Sequence, residues 1–146
     1  KREAESVARR IHTLSQLYRR SRIPFSPCKQ LGIIVPFRAQ IAMIRKDLAE
    51  RHIPDTADIT IDTVERYQGS QRDIIIFSTT VSRPYQLSIL SEPVMTDGRE
   101  IDRKLNVALT RARKQFFMTG NETLLRNCTA YRKFLDFLSK EQILRL

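Results

Sequence analysis

The sequence predicts an α/β domain with a mostly parallel sheet that is flanked by helices. Segments with helical spacing of apolar residues alternate with short apolar runs along the chain. One of these runs, residues 74–80, is apolar on both faces in its first half, which is typical of a buried parallel strand. A length of 146 residues fits one domain that buries most of the surface its unfolded chain would expose.

The amino-terminal helix is predicted over residues 3–20. Its apolar residues recur at helical spacing and form one stripe, which consists of Ala4, Val7, Ala8, Ile11, Leu14 and Tyr18. Pro24 and Pro27 mark a loop after this helix, and a short apolar strand is predicted over residues 32–35.

A second helix is predicted from Phe37 to about Arg51, because Pro36 ends the preceding strand. The stripe of this helix that faces the core is Phe37, Ile41, Ile44 and Leu48. Gln40 lies close to the stripe in the first turn, just beyond the carboxyl end of a strand, where open α/β sheets bind their ligands. Gln40 is therefore a candidate binding residue, although a packing or capping role fits the pattern equally well.

The remaining elements follow the same alternation. Strands are predicted over residues 59–63, 74–80 and 115–119, and helices within 102–113 and over 122–126 and 130–140. Residues 83–100 are rich in turn-forming residues and are predicted to form a long loop.

Residues 102–113 place Thr110, Arg111 and Arg113 on a predicted helix, a position where phosphate charge can be bound. Leu105, Ala108, Leu109 and Ala112 form its apolar stripe, and Asn106 and Thr110 are predicted to point away from that stripe. On a straight helix Arg111 and Arg113 lie about 160° apart, so we expect them to have separate roles. A basic surface helix is the alternative interpretation.

Residues 59–81 combine a strand, a polar turn that contains Gly69, and a second strand. A glycine in this turn allows the backbone to approach a ligand closely, and Gln68, Ser70 and Gln71 can supply hydrogen bonds around it. When this segment is considered alone, an ordinary loop glycine is the simpler interpretation.

Taken together and in this order, three segments resemble motifs IV, V and VI of superfamily 1 helicases. The branch that they resemble contains the nonsense-mediated-decay helicase and its bacterial DNA-helicase relatives. Residues Ile34 to Gln40 resemble motif IV, Thr63 to Asp73 resemble motif V, and Leu105 to Arg113 resemble motif VI. The resemblance covers about residues 3–138 and implies a RecA-like P-loop NTPase fold.

The resemblance implies that residues 1–146 are a single second RecA-like motor domain from a longer protein. The sequence has no Gly-x-x-x-x-Gly-Lys-[Ser/Thr] phosphate loop, so the first motor domain would hold ATP with Mg²⁺. The full-length protein is then expected to be an ATP-dependent helicase, and the fragment alone is expected to be inactive.

The resemblance also implies roles by position. Arg111 would be the catalytic arginine finger, and the contacts to the nucleotide would be Gly69, Gln71, Gln40 and Arg111. Gln71 stands where many relatives carry glutamate. Single-stranded nucleic acid would be bound by Thr63, Gln68 and Thr110, whereas coupling or structural roles are expected for Arg113 and Asn106.

Composition favours a polyanionic partner. The net charge is +10 and the isoelectric point is about 10.2. The expected partners are single-stranded nucleic acid, with DNA favoured over RNA, and the first motor domain, but no membrane. Two cysteines and two histidines, all isolated, predict no metal site and fit a cytoplasmic protein.

Two alternatives to a motor domain stay open. One is a degenerate helicase domain that binds nucleic acid or protein without ATP turnover. The other is a free-standing basic RNA-binding module, which the order of the motifs does not favour.

Overall fold

The structure is a computed structural model that describes residues 2–67 and 70–145. Its helices are α1 (Arg2–Arg20), α2 (Pro27–Gln30), α3 (Arg38–Glu50), α4 (Leu87–Leu90), α5 (Arg103–Thr110), α6 (Glu122–Leu125) and α7 (Thr129–Phe137). Its strands are β1 (Leu31–Val35), β2 (Thr60–Thr63), β3 (Arg72–Ser78), β4 (Pro93–Thr96), β5 (Arg99–Asp102) and β6 (Ala112–Thr119). Turns of 3₁₀-helix cover Pro84–Gln86 and Lys140–Gln142.

The main sheet contains four parallel strands in the order β2-β1-β3-β6. Because the strands share one direction, the sheet has two distinct edges. We call the edge where the strands begin the amino edge, which is formed by Leu31, Thr60, Arg72 and Ala112. The opposite, carboxyl edge is formed by Val35, Thr63, Ser78 and Thr119. This sheet confirms the predicted α/β class.

Each face of the sheet is covered by helices. The stripe predicted for α1 is buried from Ala4 to Leu14 and packs with α3 against one face. The other face packs against α5, α6 and α7, with Leu105, Leu125 and Tyr131 in its core. A chain that alternates strands with amphipathic helices buries both kinds of apolar surface in this three-layer arrangement.

Gly32 in β1 makes room for the side chain of Tyr67, which lies in the turn after β2. A Cβ atom at position 32 would lie 1.8 Å from the Tyr67 hydroxyl oxygen. Tyr67 is 1% exposed, so the packed core anchors the chain at this position.

The prediction of a long loop over residues 83–100 is wrong. The segment contains a 3₁₀ turn, α4 and an antiparallel hairpin of β4 with β5. Asp97 and Gly98 form the two-residue hairpin turn with φ of 50° and 73°, a conformation that Asp-Gly pairs favour. That dipeptide was the local signal for a hairpin.

The prediction that Arg111 and Arg113 share one helix is also wrong. Helix α5 ends at Thr110, and β6 begins at Ala112, which pairs with Arg72 of β3. Arg111 therefore occupies the cap position after the helix, and Arg113 lies in a strand. Pairing with β3 begins β6 at Ala112, although the local sequence from Ala112 to Arg113 also fits a helix.

Candidate functional site

The junction between α5 and β6 lies at the amino edge and holds Arg111. The Arg111 backbone N–H donates to the Ala108 carbonyl at 3.3 Å, which completes the last turn of α5. Its carbonyl accepts a hydrogen bond from the Arg72 backbone N–H at 3.0 Å, at the start of β3. The backbone of Arg111 is thus held by its own helix and by the neighbouring strand.

The Arg111 side chain carries a charge that no carboxylate neutralises among the described residues. Arg111 is partly buried, and its Nε atom is buried without a hydrogen-bond partner in residues 2–67 and 70–145. A guanidinium with unsatisfied donors in a partly desolvated position favours an anionic ligand, because an unpaired buried donor is destabilising.

The next two basic residues, in contrast, share one carboxylate. Asp73 Oδ1 lies 3.5 Å from Arg113 Nε, and Asp73 Oδ2 lies 3.3 Å from Lys114 Nζ. The Gln30 amide also donates to Asp73 at 3.4 Å. Hydrogen bonds from Gln30 and Lys114 lower the pKa of Asp73, which therefore stays ionised.

An irregularity in strand pairing explains why both cations reach Asp73. Arg72 pairs with Ala112, but Ile74 pairs with Gln115, so two residues of β6 lie opposite one residue of β3. In a regular strand, successive side chains point to opposite faces, whereas a bulge redirects one of them. The bulge brings both Arg113 and Lys114 to the same carboxylate.

Gln71 lies at the same junction. Its Nε2 donates to the Thr110 carbonyl at 3.2 Å, and its own carbonyl accepts a hydrogen bond from Arg113 Nη2 at 3.4 Å. The Thr110 hydroxyl donates to the Val107 carbonyl at 3.0 Å. The structure thus brings Gln71, Thr110, Arg111 and Arg113 together, while the candidates Gln68 and Gly69 lie outside the described residues.

Thr63 and Gln40 lie at the opposite, carboxyl edge. Thr63 ends β2 and pairs with Val35 of β1, and Gln40 follows β1 in the first turn of α3. Both side chains are 7% exposed, and Gln40 Nε2 has no hydrogen-bond partner among the described residues. Gln40 and Arg111 therefore lie at opposite edges of the sheet, as do Thr63 and Thr110.

Comparisons with known proteins decide the family. A protein family described as the AAA domain matches residues 1–123. A Gallus gallus protein that bears the helicase name MOV-10 is 31% identical over 152 residues, which cover 95% of this chain and 15% of that protein. The DNA polymerase alpha-associated DNA helicase A of Saccharomyces cerevisiae is 33% identical over 103 residues, 70% of this chain and 14% of that protein. The chain belongs to the superfamily 1 helicases.

A third relative is consistent with this family. The DNA replication ATP-dependent helicase/nuclease DNA2 of Bos taurus is 32% identical over 119 residues, which are 80% of this chain. The helicase domain spans only 10% to 15% of the length of these three relatives. Its parallel sheet flanked by helices is that of a RecA-like carboxyl-terminal domain in this family.

Two further parts of the helicase domain were not predicted to bear on the site. Lys104 at the start of α5 pairs with Glu65 at 3.0 Å and donates to the Ile89 carbonyl at 2.6 Å. A cavity of about 160 Å³ next to this pair is lined by Val64, Glu65, Glu92, Arg103, Lys104 and Val107. Contacts between residues this far apart in the chain leave no local sequence signal.

Glu3, in the first turn of α1, joins this helix to the carboxyl edge. Its Oε2 accepts hydrogen bonds from the Thr80 backbone N–H at 2.8 Å and from the Ser78 hydroxyl at 3.0 Å. The Thr119 hydroxyl donates to the same oxygen at 3.4 Å. Burial raises the pKa of Glu3, although these hydrogen bonds act in the opposite direction.

Two features are absent from the described residues, 2–67 and 70–145. These ranges contain no group of three or more His, Cys, Asp or Glu side chains that could hold a metal ion. No helix in the same ranges is long and apolar enough to cross a membrane.

Proposed function

We propose that this helicase domain is the second motor domain of an ATP-dependent superfamily 1 helicase. In this proposal it supplies Arg111 as the arginine finger to ATP that the first motor domain binds with Mg²⁺. It also supplies part of the surface that binds single-stranded nucleic acid.

The contrast between Arg111 and its basic neighbours carries the proposal. Asp73 neutralises Arg113 and Lys114, whereas Arg111 has no carboxylate partner among the described residues. An arginine that is held in place and not neutralised can stabilise the negative charge that spreads over a transferring phosphoryl group. The ion pair of Arg113 with Asp73 supports the structural or coupling role expected for Arg113. The same role is proposed for Asn106, which is exposed, on the basis of the resemblance alone.

The proposed strand-binding surface is the carboxyl edge at Thr63 and Gln40. A hydroxyl and an amide there can contact phosphates and sugars, which supports binding without base specificity. Helix α3 begins at this edge, and its cap residue Phe37 has no side-chain group that could bind the first N–H groups of the helix. The Gln40 N–H donates to the Phe37 carbonyl at 3.1 Å, so the N–H groups of Arg38 and Ala39 are the ones proposed to bind an anion. Gln68 is proposed to contact the nucleic-acid strand, and Gly69 is proposed to contact the nucleotide. Both proposals rest on the resemblance alone.

In this proposal ATP binds at the amino edge of the sheet, and single-stranded nucleic acid binds at the carboxyl edge. DNA is favoured over RNA because one relative is named a DNA helicase and another is named a DNA replication helicase/nuclease. The net charge of +10 supports long-range attraction of either nucleic acid.

The test is ATP hydrolysis by the full-length protein with single-stranded DNA, with single-stranded RNA and with neither. Arg111→Ala should lower stimulated hydrolysis by about 10³-fold, the effect of losing an arginine finger. Lys114→Ala is the matched control, because it removes a nearby positive charge that is 68% exposed and already paired with Asp73. It should leave hydrolysis close to wild type.

Normal hydrolysis by Arg111→Ala would remove Arg111 from the proposed catalytic role. No hydrolysis by the wild-type protein under any of the three conditions would favour the degenerate binding domain instead. Stimulation by RNA and not by DNA would reverse the proposed preference while keeping the motor function.

A further inference from the structure

The excess positive charge of the chain comes from one continuous stretch. Residues 6–46 contain nine Lys and Arg residues and no Asp or Glu, whereas the other 105 residues contain 17 basic and 16 acidic residues. This stretch forms α2, β1 and most of α1 and α3, and these two long helices cover the same face of the sheet. The net charge of +10 therefore belongs almost entirely to one side of the helicase domain.

Three arginines at the end of α1 lie in this stretch, and we call Arg19, Arg20 and Arg22 the α1-end cluster. All three are exposed. None of them forms an ion pair with a carboxylate among residues 2–67 and 70–145. Arg9, by contrast, pairs with Glu5 at 3.3 Å on an earlier turn of the same helix. The α1-end cluster is thus a group of exposed charges that the described residues do not neutralise.

Arg22 has a backbone conformation that favours glycine, with a φ of 56°. Its N–H donates to the Arg19 carbonyl at 3.2 Å, and the Ile23 N–H donates to the Tyr18 carbonyl at 3.0 Å, a pattern that ends a helix at a left-handed residue. Glycine adopts this conformation without strain, whereas a side chain makes it costly. The helix dipole favours cations at Arg19 and Arg20 in the last turn. Arg22 lies beyond the helix, so its strained position calls for a role other than stability.

We propose that the α1-end cluster binds phosphate groups of nucleic acid at a site separate from the carboxyl edge. Helix α1 is joined to that edge through Glu3, and Arg20 lies about 25 Å farther along the helix axis. Arginine suits phosphate, because its planar guanidinium can donate two parallel hydrogen bonds to phosphate oxygens. The inference rests on the proposed function for its choice of nucleic acid as the partner, and it adds a contact beyond Thr63 and Gln40.

The experiment measures the Kd of the full-length protein for labelled single-stranded DNA and for duplex DNA with a single-stranded tail. Fluorescence anisotropy over a series of salt concentrations gives both the Kd and its salt dependence. The combined variant Arg19→Gln, Arg20→Gln and Arg22→Gln should weaken binding by about ten- to a hundredfold. The slope of log Kd against log salt should decrease by about 2 to 3, because three phosphate contacts are lost. A loss with either DNA supports the proposal, and the larger loss identifies which DNA supplies the phosphates.

The combined variant Arg132→Gln, Lys133→Gln and Lys140→Gln is the matched control. These residues are exposed and lie in α7, which covers the opposite face of the sheet, and in the 3₁₀ turn after it. The control lowers the net charge by the same amount and should keep the wild-type Kd within about twofold, because salt screens charges that do not touch the DNA. Equal weakening in both combined variants would assign the effect to net charge and overturn the proposal.

Arg22→Gly separates binding from stability. It should raise the melting temperature, because glycine relieves the left-handed strain. It should also weaken DNA binding and decrease the salt slope by about 1, because one phosphate contact is lost. An arginine kept only for the helix end would give the reverse result, a lower melting temperature with unchanged DNA binding, and that result would overturn the proposal.

The wild-type protein distinguishes the two levels of the argument. If it binds DNA and hydrolyses ATP, and the combined variant of the α1-end cluster has the same Kd and salt slope, only this inference fails. If the wild-type protein binds neither DNA nor RNA, the proposed function fails and the inference fails with it.

Discussion

Asp102 is the buried cap at the start of α5, so its replacement tests what holds the helix that leads to Arg111. Its Oδ1 accepts a hydrogen bond from the Leu105 N–H at 2.8 Å. Its Oδ2 accepts two more, from the Ser91 hydroxyl at 2.6 Å and from the Glu92 N–H at 2.8 Å. The residue is 3% exposed, so water cannot replace these bonds when the carboxylate is removed.

The three hydrogen bonds set the expected size of the effect. Loss of a helix cap lowers the free energy of unfolding by about 1 kcal/mol. Loss of each of the other two bonds to a carboxylate lowers it by about 1.5 kcal/mol. Asp102→Ala should therefore destabilise the domain by about 4 kcal/mol, a large part of the stability of a domain of this size.

Asn121 provides the matched control. It caps α6 through one hydrogen bond, which its Oδ1 accepts from the Leu124 N–H at 3.2 Å, and it is exposed. Asn121→Ala should lower the free energy of unfolding by only about 1 kcal/mol. Urea denaturation followed by circular dichroism measures both variants, and the slope against urea concentration should stay the same. Equal losses in Asp102→Ala and Asn121→Ala would refute the reasoning, because they would leave no net stabilisation from Ser91 and Glu92.

Two further predictions concern stability and can be measured in the same way. Gly32→Ala should cost about 3 kcal/mol, since its Cβ would lie 1.8 Å from the buried hydroxyl of Tyr67, whereas Gly98→Ala should cost only about 1 kcal/mol for its φ of 73°, with nothing within 4 Å. Equal losses at the two glycines would show that Tyr67 moves aside. For Glu3, whose pKa burial raises above its ordinary value of 4.5, the folded state binds the proton more tightly, so its contribution to stability is present below pH 4.5 and is lost as pH rises through the raised pKa. The stability of the wild type should therefore fall relative to Glu3→Gln across that window, and a difference that does not vary with pH would contradict the prediction.

Elements with a strong local pattern were predictable from the sequence. The helix predicted over residues 3–20 is α1, and the helix predicted from residue 37 to 51 is α3. Their stripes bury Ile11 and Ile44, as the helical spacing of the apolar residues predicted. Such stripes are local, because the same few turns of chain contain both the helix and the surface that it buries.

Elements that depend on distant partners were predicted less well. The start of β6 at Ala112 is set by pairing with Arg72 of β3, and the local sequence there also fits a helix. The bulge that joins Arg113 and Lys114 to Asp73 depends on the same pairing. The hairpin of β4 and β5 is the exception, since its Asp-Gly turn is a local signal although the prediction for this segment was a loop.

For the candidate site, the sequence by itself determined which residue types are present and in what order, and hence the family and the candidates Arg111 and Gln71. Only the tertiary structure decided which candidates share a surface. Strand order and direction place Arg111 at one edge of the sheet and Thr63 at the other, and they leave Arg111 without a carboxylate partner among the described residues while its neighbours have one. The physical reason is that local spacing acts within a few residues, whereas edges, ion pairs and desolvation arise only when distant segments of the chain pack together.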